Sequence, residues 1–196
     1  MRMLIIDNFD SFTYNLVQLF AAEGTEVTVR RNAASMDELR ALAPDLLCVS
    51  PGPGTPRDSG VSMAAVEYWQ TRIPVFGVCL GMQVINELHG GRTVHAPLPV
   101  HGKSDAVRHD GSGVFTGLPS PFSAGRYHSL AIVRRSEALV ENAWTADGVV
   151  MGIRHATLPL HAVQFHPESF LTEHGVHIAR NMLALGMRAH GARERR

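Results

Sequence analysis

Short apolar runs alternate with amphipathic stretches along the first half of the chain. Apolar runs typical of buried strands lie at residues 3–7, 26–30, 45–50 and 74–78. Stretches with helical spacing of their apolar residues lie between them, at 11–23, 35–43 and 61–70. Because strand and helix alternate, the pattern predicts βαβ units and a parallel sheet covered by helices on both faces.

The second half of the chain has a different pattern. A helix is predicted at 80–88 and a closing helix at about 173–189, and short strand-like runs lie between them, at 92–95, 106–108, 122–127, 149–154 and 160–164. These runs resemble an antiparallel insertion. With no linker or repeat in view, we expect one domain over residues 1–196, an α/β three-layer sandwich with a mainly parallel mixed sheet.

Composition and charge exclude several classes of partner. The chain has 196 residues, of which 45% are hydrophobic, and its 18 basic and 18 acidic residues balance, so we expect binding neither to nucleic acid nor to a membrane. No apolar run approaches the roughly 18 residues of a membrane span, and no signal peptide is expected. A cytoplasmic location is the default, and the basic tail at about 191–196 is expected to be disordered.

The sequence predicts neither a disulfide nor a metal site. A single bridge between Cys48 and Cys79 is not expected without an export signal, so both are interpreted as reduced thiols. The 11 histidines are scattered and show no metal-ligand spacing, so we expect no metal and no cofactor.

Cys79 lies between two glycines, where the last apolar strand of the first half meets a helix. The segment Gly77-Val78-Cys79-Leu80-Gly81 has the G-x-C-x-G spacing of a nucleophile elbow, a tight strand-to-helix turn that exposes a nucleophile. The N-terminal end of a helix favours the thiolate form of a cysteine. A small buried side chain in a tight turn is the alternative, and Cys48 in the apolar run DLLCVS illustrates it.

A second motif follows the last predicted strand, QFHPES at 164–169. In an extended segment His166 and Glu168 project to the same side. A histidine beside a thiol is the expected base, and a carboxylate orients the imidazole. Alone the motif favours a capped helix start, but together with the elbow it favours a triad of Cys79, His166 and Glu168.

The loop SPGPGTP at 50–56 is a candidate for part of an oxyanion hole. It follows the third predicted strand, and Gly54 allows a backbone N–H to approach a substrate closely. The N–H groups of Gly54 and Leu80 would then stabilise an oxyanion. An ordinary rigid turn is the alternative, and the loop by itself favours it.

These motifs resemble the class I, triad-type glutamine amidotransferases over nearly the whole chain. The resemblance rests on DNFDSFTYN at 7–15, SPGPGTP, GVCLGMQ, HGK at 101–103, RYHSL at 126–130 and QFHPES, in that order. The opening DNFDSFTYN, together with RYHSL, is similar to the glutaminase subunits of anthranilate synthase and of 4-amino-4-deoxychorismate synthase. By itself, the opening suggests only that Ser11 caps a helix and that Phe9, Phe12 and Tyr14 pack.

The resemblance implies a role for each matching residue. Cys79 would be the nucleophile, His166 the base and Glu168 its orienting acid, with oxyanion donors at Gly54 and Leu80. Contacts to L-glutamine would come from Gly52, Pro53, Gly54, Gln83, Ser129 and Leu130. A separate chorismate-binding synthase subunit would receive the ammonia, and HGK would contribute to that interface, although Lys103 also fits a plain surface charge.

One position departs from the pattern, and other functions stay open. Met82 stands where these subunits often have histidine, which we expect to affect packing at the partner surface. The same triad would also serve another cysteine hydrolase, such as a peptidase or a γ-glutamyl hydrolase, without a synthase partner. A non-catalytic binding domain is the third possibility, although all three triad positions are chemically competent. The motifs do not separate the anthranilate from the aminodeoxychorismate enzyme.

Overall fold

A computed structural model describes residues 1–193, with the side-chain surroundings described through residue 187. Within that part the strands are β1 (Arg2–Asp7), β2 (Glu26–Arg31), β3 (Leu46–Val49), β4 (Val75–Val78), β5 (Arg92–His95), β6 (Lys103–His109), β7 (Phe122–Arg126), β8 (Leu130–Val133), β9 (Leu139–Trp144), β10 (Val150–His155) and β11 (Leu160–Val163). The α-helices are α1 (Thr13–Ala21), α2 (Met36–Ala41), α3 (Ser62–Trp69), α4 (Leu80–Leu88) and α5 (Gly175–Arg193). Of the tail that was expected to be disordered, residues 191–193 belong to α5 and residues 194–196 lie outside the described residues.

One mixed sheet organises the described chain, with strand order β2-β1-β3-β4-β11-β10-β9-β6-β7. The half from β2 to β11 is parallel, and the half from β11 to β7 is antiparallel. Strands β5 and β8 form a separate antiparallel pair. The predicted mixed sheet with an antiparallel insertion is confirmed.

Each face of the sheet has its own apolar core, because successive side chains of a strand point to opposite faces. Met3 and Ile5 of β1 belong to one core, together with residues of α1 and α5, whereas Leu4 and Ile6 belong to the other, together with residues of α3 and α4. The ring of Phe20 in α1 packs edge-on against the ring of Phe76 in β4, with centroids 6.3 Å apart. Helices therefore cover both faces, as a three-layer sandwich requires.

The turn after β1 differs from its prediction. Helix α1 begins at Thr13 without a side-chain cap, so Ser11 is not the cap that the sequence suggested. The Asp7 carboxylate organises the turn instead, accepting hydrogen bonds from the Phe9 N–H at 2.9 Å and the Thr13 hydroxyl at 2.8 Å. The prediction that Phe9 and Tyr14 pack is also wrong, because they are 53% and 65% exposed.

Two strands were missed in the second half. Strand β8 pairs with β5, and β9 lies between β10 and β6 in the large sheet. The β9 segment LVENAW carries polar residues at its centre and so lacks the apolar run that marks a buried strand. Hydrogen bonds to β10 on one edge and to β6 on the other stabilise β9 as a strand, although its sequence lacks the apolar run.

Candidate active site

The loops that carry the predicted site residues meet at one edge of the sheet. Strands β3, β4 and β11 are adjacent and parallel, so their carboxyl ends lie side by side. Cys79 directly follows β4, and its backbone N–H donates a 2.8 Å hydrogen bond to the carbonyl of Val163, the last residue of β11. This bond ties the turn at Cys79 to the start of the 164–169 segment. Ligands of open α/β sheets bind at such an edge.

The turn at Cys79 has the tight geometry of the predicted elbow. Cys79 has φ 53° and ψ −102°, a positive-φ conformation that is strained for a residue with a side chain. At Gly81 an added Cβ would lie only 2.3 Å from the carbonyl oxygen of Val49 in β3. Glycine therefore lets α4 start directly against the end of β3, with Cys79 at the helix entrance. The cysteine is 8% exposed.

His166 and Glu168 form a buried pair beside this turn. The Nδ1 atom of His166 lies 2.7 Å from Oε1 of Glu168, and the two side chains are 3% and 0% exposed. The carboxylate thus holds the ring by Nδ1 and leaves Nε2 for another partner. Nε2 is buried and has no partner that meets hydrogen-bond geometry among the described residues.

The surroundings of His166 favour its charged form. Burial by itself opposes the imidazolium, but the interactions with Cys79 and then with Glu168 outweigh it and raise the pKa of His166 to about 10. The thiol of Cys79 and the carboxyl group of Glu168 therefore act together on the one imidazole. The arrangement suits an imidazolium that stabilises a thiolate at Cys79.

Two aromatic rings enclose the imidazole. Tyr127 and Phe12 approach His166 with ring centroids 4.9 Å and 5.4 Å away, both in edge-on geometry. The Tyr127 hydroxyl lies 2.9 Å from the hydroxyl of Ser169, which fixes the ring. Tyr127 had no predicted role, although it stands inside the RYHSL motif. Its position within that motif was the available signal.

The 50–56 loop packs against the elbow. An added Cβ at Gly52 would lie 2.9 Å from a Leu80 methyl group and 2.4 Å from the Cβ of Asn8. Gly54 has φ 78°, a conformation that glycine adopts without strain. Pro53 and Gly54 are exposed. The N–H of Leu80 belongs to the first turn of α4, where backbone N–H groups have no acceptor within the helix.

The remaining predicted residues lie at different distances from this centre. Gln83 is 3% exposed, and its Nε2 lies 3.4 Å from Oε1 of Gln164, whose own amide reaches Cys79. Ser129 is exposed and Leu130 is half-buried, and they follow Tyr127, whose ring contacts His166, by two and three residues along the chain. The structure therefore brings the candidate triad together, with Gln83 one side chain further away.

A buried arginine supports the 126–130 segment. The Arg126 side chain is 2% exposed, and its Nη1 lies 2.6 Å from a carboxylate oxygen of Asp105 and 3.8 Å from one of Asp147. Its Nε donates a 3.2 Å hydrogen bond to Nε2 of His128. Burial above all lowers the pKa of His128 to about 4, so this histidine is a neutral acceptor. The ion pairs link the segment to Asp105 and Asp147, and the sequence did not predict them.

Met82 does not reach the surface. It is fully buried in the core on the α3 and α4 side of the sheet. The expectation that it affects packing at a partner surface is therefore wrong.

Among the described residues, no group of three or more His, Cys, Asp or Glu side chains is placed to hold a metal ion. In the same part of the chain, no helix is both long and apolar enough to cross a membrane.

Comparison with known proteins agrees with this geometry. The family model described as glutamine amidotransferase class-I matches residues 4–185. The chain belongs to this family. Anthranilate synthase component 2 of Thermus thermophilus is 52% identical over 187 residues, covering 93% of this chain and 92% of the relative. An aminodeoxychorismate/anthranilate synthase component 2 of Bacillus subtilis is 45% identical over 184 residues, with 92% and 95% covered.

A further relative and a solved structure extend the comparison. Aminodeoxychorismate synthase component 2 of Serratia marcescens is 45% identical over 190 residues, covering 92% of this chain and 98% of the relative. A crystal structure from Thermoplasma acidophilum, described as one subunit of a GMP synthase, superposes with a TM-score of 0.89 at 25% identity and covers 99% of this chain and 98% of its own. The resemblance inferred from the motifs is thereby confirmed.

Proposed function

We propose that this chain is a glutaminase subunit that hydrolyses L-glutamine to glutamate and ammonia and delivers the ammonia to a chorismate-binding synthase subunit. The observation that supports this most directly is the buried His166–Glu168 pair, 2.7 Å apart, beside Cys79 at the elbow. Membership of the class-I family agrees with it. We also propose that residues 1–196 form a single glutamine amidotransferase domain.

The proposed reaction has two stages. The Cys79 thiolate attacks the side-chain amide carbon of glutamine, and the C–N bond breaks as His166 gives its Nε2 proton to the departing ammonia. A γ-glutamyl thioester remains on the sulfur. Neutral His166 then takes a proton from water, the hydroxide attacks the thioester carbon, and glutamate leaves as the thiolate forms again. Glu168 keeps the ring oriented throughout.

The oxyanion of each tetrahedral intermediate would lie against the N–H groups of Gly54 and Leu80. Each such donor contributes roughly 3 to 4 kcal/mol to the transition state in comparable sites. The packing of Gly52 against Leu80 supports this assignment, because it keeps the loop and the helix entrance together. Substrate contacts are proposed for Gly52, Pro53, Gly54, Gln83, Ser129 and Leu130.

The ammonia needs an acceptor, and the relatives' names indicate one. Two relatives named component 2 of anthranilate synthase are 52% and 48% identical, whereas one named for aminodeoxychorismate synthase and one that carries both names are each 45% identical. We favour the role of anthranilate synthase component II, with the aminodeoxychorismate enzyme, or both, as the alternative. Exposed Phe9 and Phe170, which follow strand ends at the carboxyl edge, suit a partner surface beside the site, and HGK at 101–103 would contribute to it.

Glutamate release from L-glutamine tests the proposal. We expect activity that depends on Cys79, rises with one chorismate-using synthase subunit plus chorismate, and falls about 10⁴-fold or more in Cys79→Ala. Cys48→Ala is the matched control, since the Cys48 thiol is fully buried in the core, and it should stay active. Absence of glutamine hydrolysis with every partner would refute the proposal and favour another cysteine hydrolase or a binding domain.

A further inference from the structure

Gln164 is a buried polar residue that the proposed mechanism does not use. It directly follows β11, is fully buried, and its backbone N–H donates a 3.0 Å hydrogen bond to the carbonyl of Met151 in β10. Its side-chain Nε2 lies 3.3 Å from the sulfur of Cys79, within hydrogen-bond range for sulfur. The amide therefore touches the atom that would react.

A second glutamine sets the direction of this amide. Oε1 of Gln164 accepts a hydrogen bond from Nε2 of Gln83, at 3.4 Å. Because the oxygen is engaged there, the NH₂ group is the end that faces the sulfur. The three side chains form a buried donor chain from Gln83 through Gln164 to Cys79. Gln83 and Gln164 come from α4 and from the end of β11, so only the folded sheet edge assembles the chain.

A thiolate at Cys79 needs such a donor. The cysteine is 8% exposed, so few water molecules can solvate its charge. His166 supplies a cation on one side, but both groups become neutral if the proton moves from the imidazolium to the sulfur. An amide N–H donates without taking part in that proton transfer, because it neither loses nor gains a proton near neutral pH. Hydrogen bonds to charged groups are also stronger than those between neutral groups.

We propose that Gln164 is a catalytic residue that stabilises the Cys79 thiolate and holds its sulfur in place, and that Gln83 is a positioning residue that orients the Gln164 amide. The inference deepens the proposed glutaminase function and rests on it for its biological role. Gln83 would thus act on the sulfur through Gln164, in addition to its proposed contact with glutamine.

The pH dependence of Cys79 alkylation by iodoacetamide tests the inference without requiring turnover. Gln164→Met keeps the side-chain length but removes the donor, so we expect alkylation at pH 7 to be about tenfold slower and its pH midpoint to rise by about one unit. Gln164→Glu should be slower still, because a carboxylate repels a thiolate. Gln83→Met should slow alkylation by a smaller factor.

Controls separate this effect from general damage. Gln70→Met changes a half-buried glutamine that contacts His89 and should keep the wild-type profile. Cys79→Ala gives the background from Cys48. A wild-type profile in folded Gln164→Met would overturn the inference, and if that variant does not fold, a wild-type profile in Gln83→Met would do so. A shifted profile in a protein without glutaminase activity would instead refute the proposed function and leave the role of Gln164 intact.

Discussion

At the scale of single residues, His166 combines burial with charge. Its ring lies between Tyr127 and Phe12, an environment that disfavours an isolated cation. Cys79 and Glu168 nevertheless raise its pKa to about 10, so the ring is charged at neutral pH. Because the pKa of His166 is higher in the folded protein than in the unfolded chain, where it is about 6.5, protonated His166 stabilises the fold. This stabilisation is fully present below about pH 6.5 and is lost as the pH rises through about 10.

We expect Cys79→Ala to lower the pKa of His166, because Cys79 is the largest of the interactions that raise it. The His166 ring would then lose its proton at a pH at least about one unit lower than in the wild type. NMR titration of the carbon-bound protons of the imidazole measures this midpoint. Cys48→Ala removes a thiol from the core and should leave the titration unchanged. An identical His166 midpoint in Cys79→Ala and wild type would show that the thiol does not act on the ring.

At the scale of elements, Asn8 connects the loops that surround the elbow. Its Oδ1 accepts hydrogen bonds from Asn32 at 3.1 Å and from Ser62 at 2.8 Å, and its Nδ2 donates to the carbonyl of Ser50 at 3.0 Å. Asn8 is 2% exposed and also packs against Gly52. The ends of β1, β2 and β3 and the start of α3 are thus joined by one side chain, which holds the proposed oxyanion loop in place.

We expect Asn8→Ala to reduce the free energy of unfolding by about 2 to 4 kcal/mol, because it leaves buried partners on Ser50, Asn32 and Ser62 without hydrogen bonds. Urea denaturation with an unchanged m-value would measure this loss. The matched control is Asn15→Ala on the exposed side of α1, which should change stability by less than about 0.5 kcal/mol. A loss for Asn8→Ala as small as that of the control would contradict the proposed linking role.

At the scale of the whole molecule, buried histidines limit stability in acid. Burial above all lowers the pKa values of His128 and His161 to about 4 each. Between about pH 6.5 and pH 4 the unfolded chain binds protons at these positions that the native protein does not bind. The free energy of unfolding therefore falls as the pH falls through this range, by up to about 3 kcal/mol for each histidine.

His161→Gln should flatten this acid response, because glutamine does not titrate. We expect its melting temperature to fall less than that of the wild type between about pH 7 and pH 4.5, because in this range the unfolded wild-type chain binds a proton at His161 that the native protein does not bind. His101→Gln changes an exposed histidine and should follow the wild-type curve. Parallel curves for His161→Gln and the wild type would mean that His161 does not contribute to acid unfolding.

The sequence by itself determined the alternating elements of the first half, the elbow and the family. Apolar periodicity and glycine spacing are local properties, so β1 to β4 and the turn at Cys79 follow from neighbouring residues alone. The position of QFHPES after a strand, taken together with the elbow, predicted His166 and Glu168 as a pair, since their separation along the chain is short.

Only the tertiary structure decided the contacts between distant segments. Strand β9 exists because β6 and β10 pair with it, and Phe9 is exposed because the Asp7 carboxylate shapes the turn after β1. Gln164 donates to Cys79 because the parallel pairing of β4 with β11 brings their ends together. Such contacts depend on strand order, which no local pattern encodes.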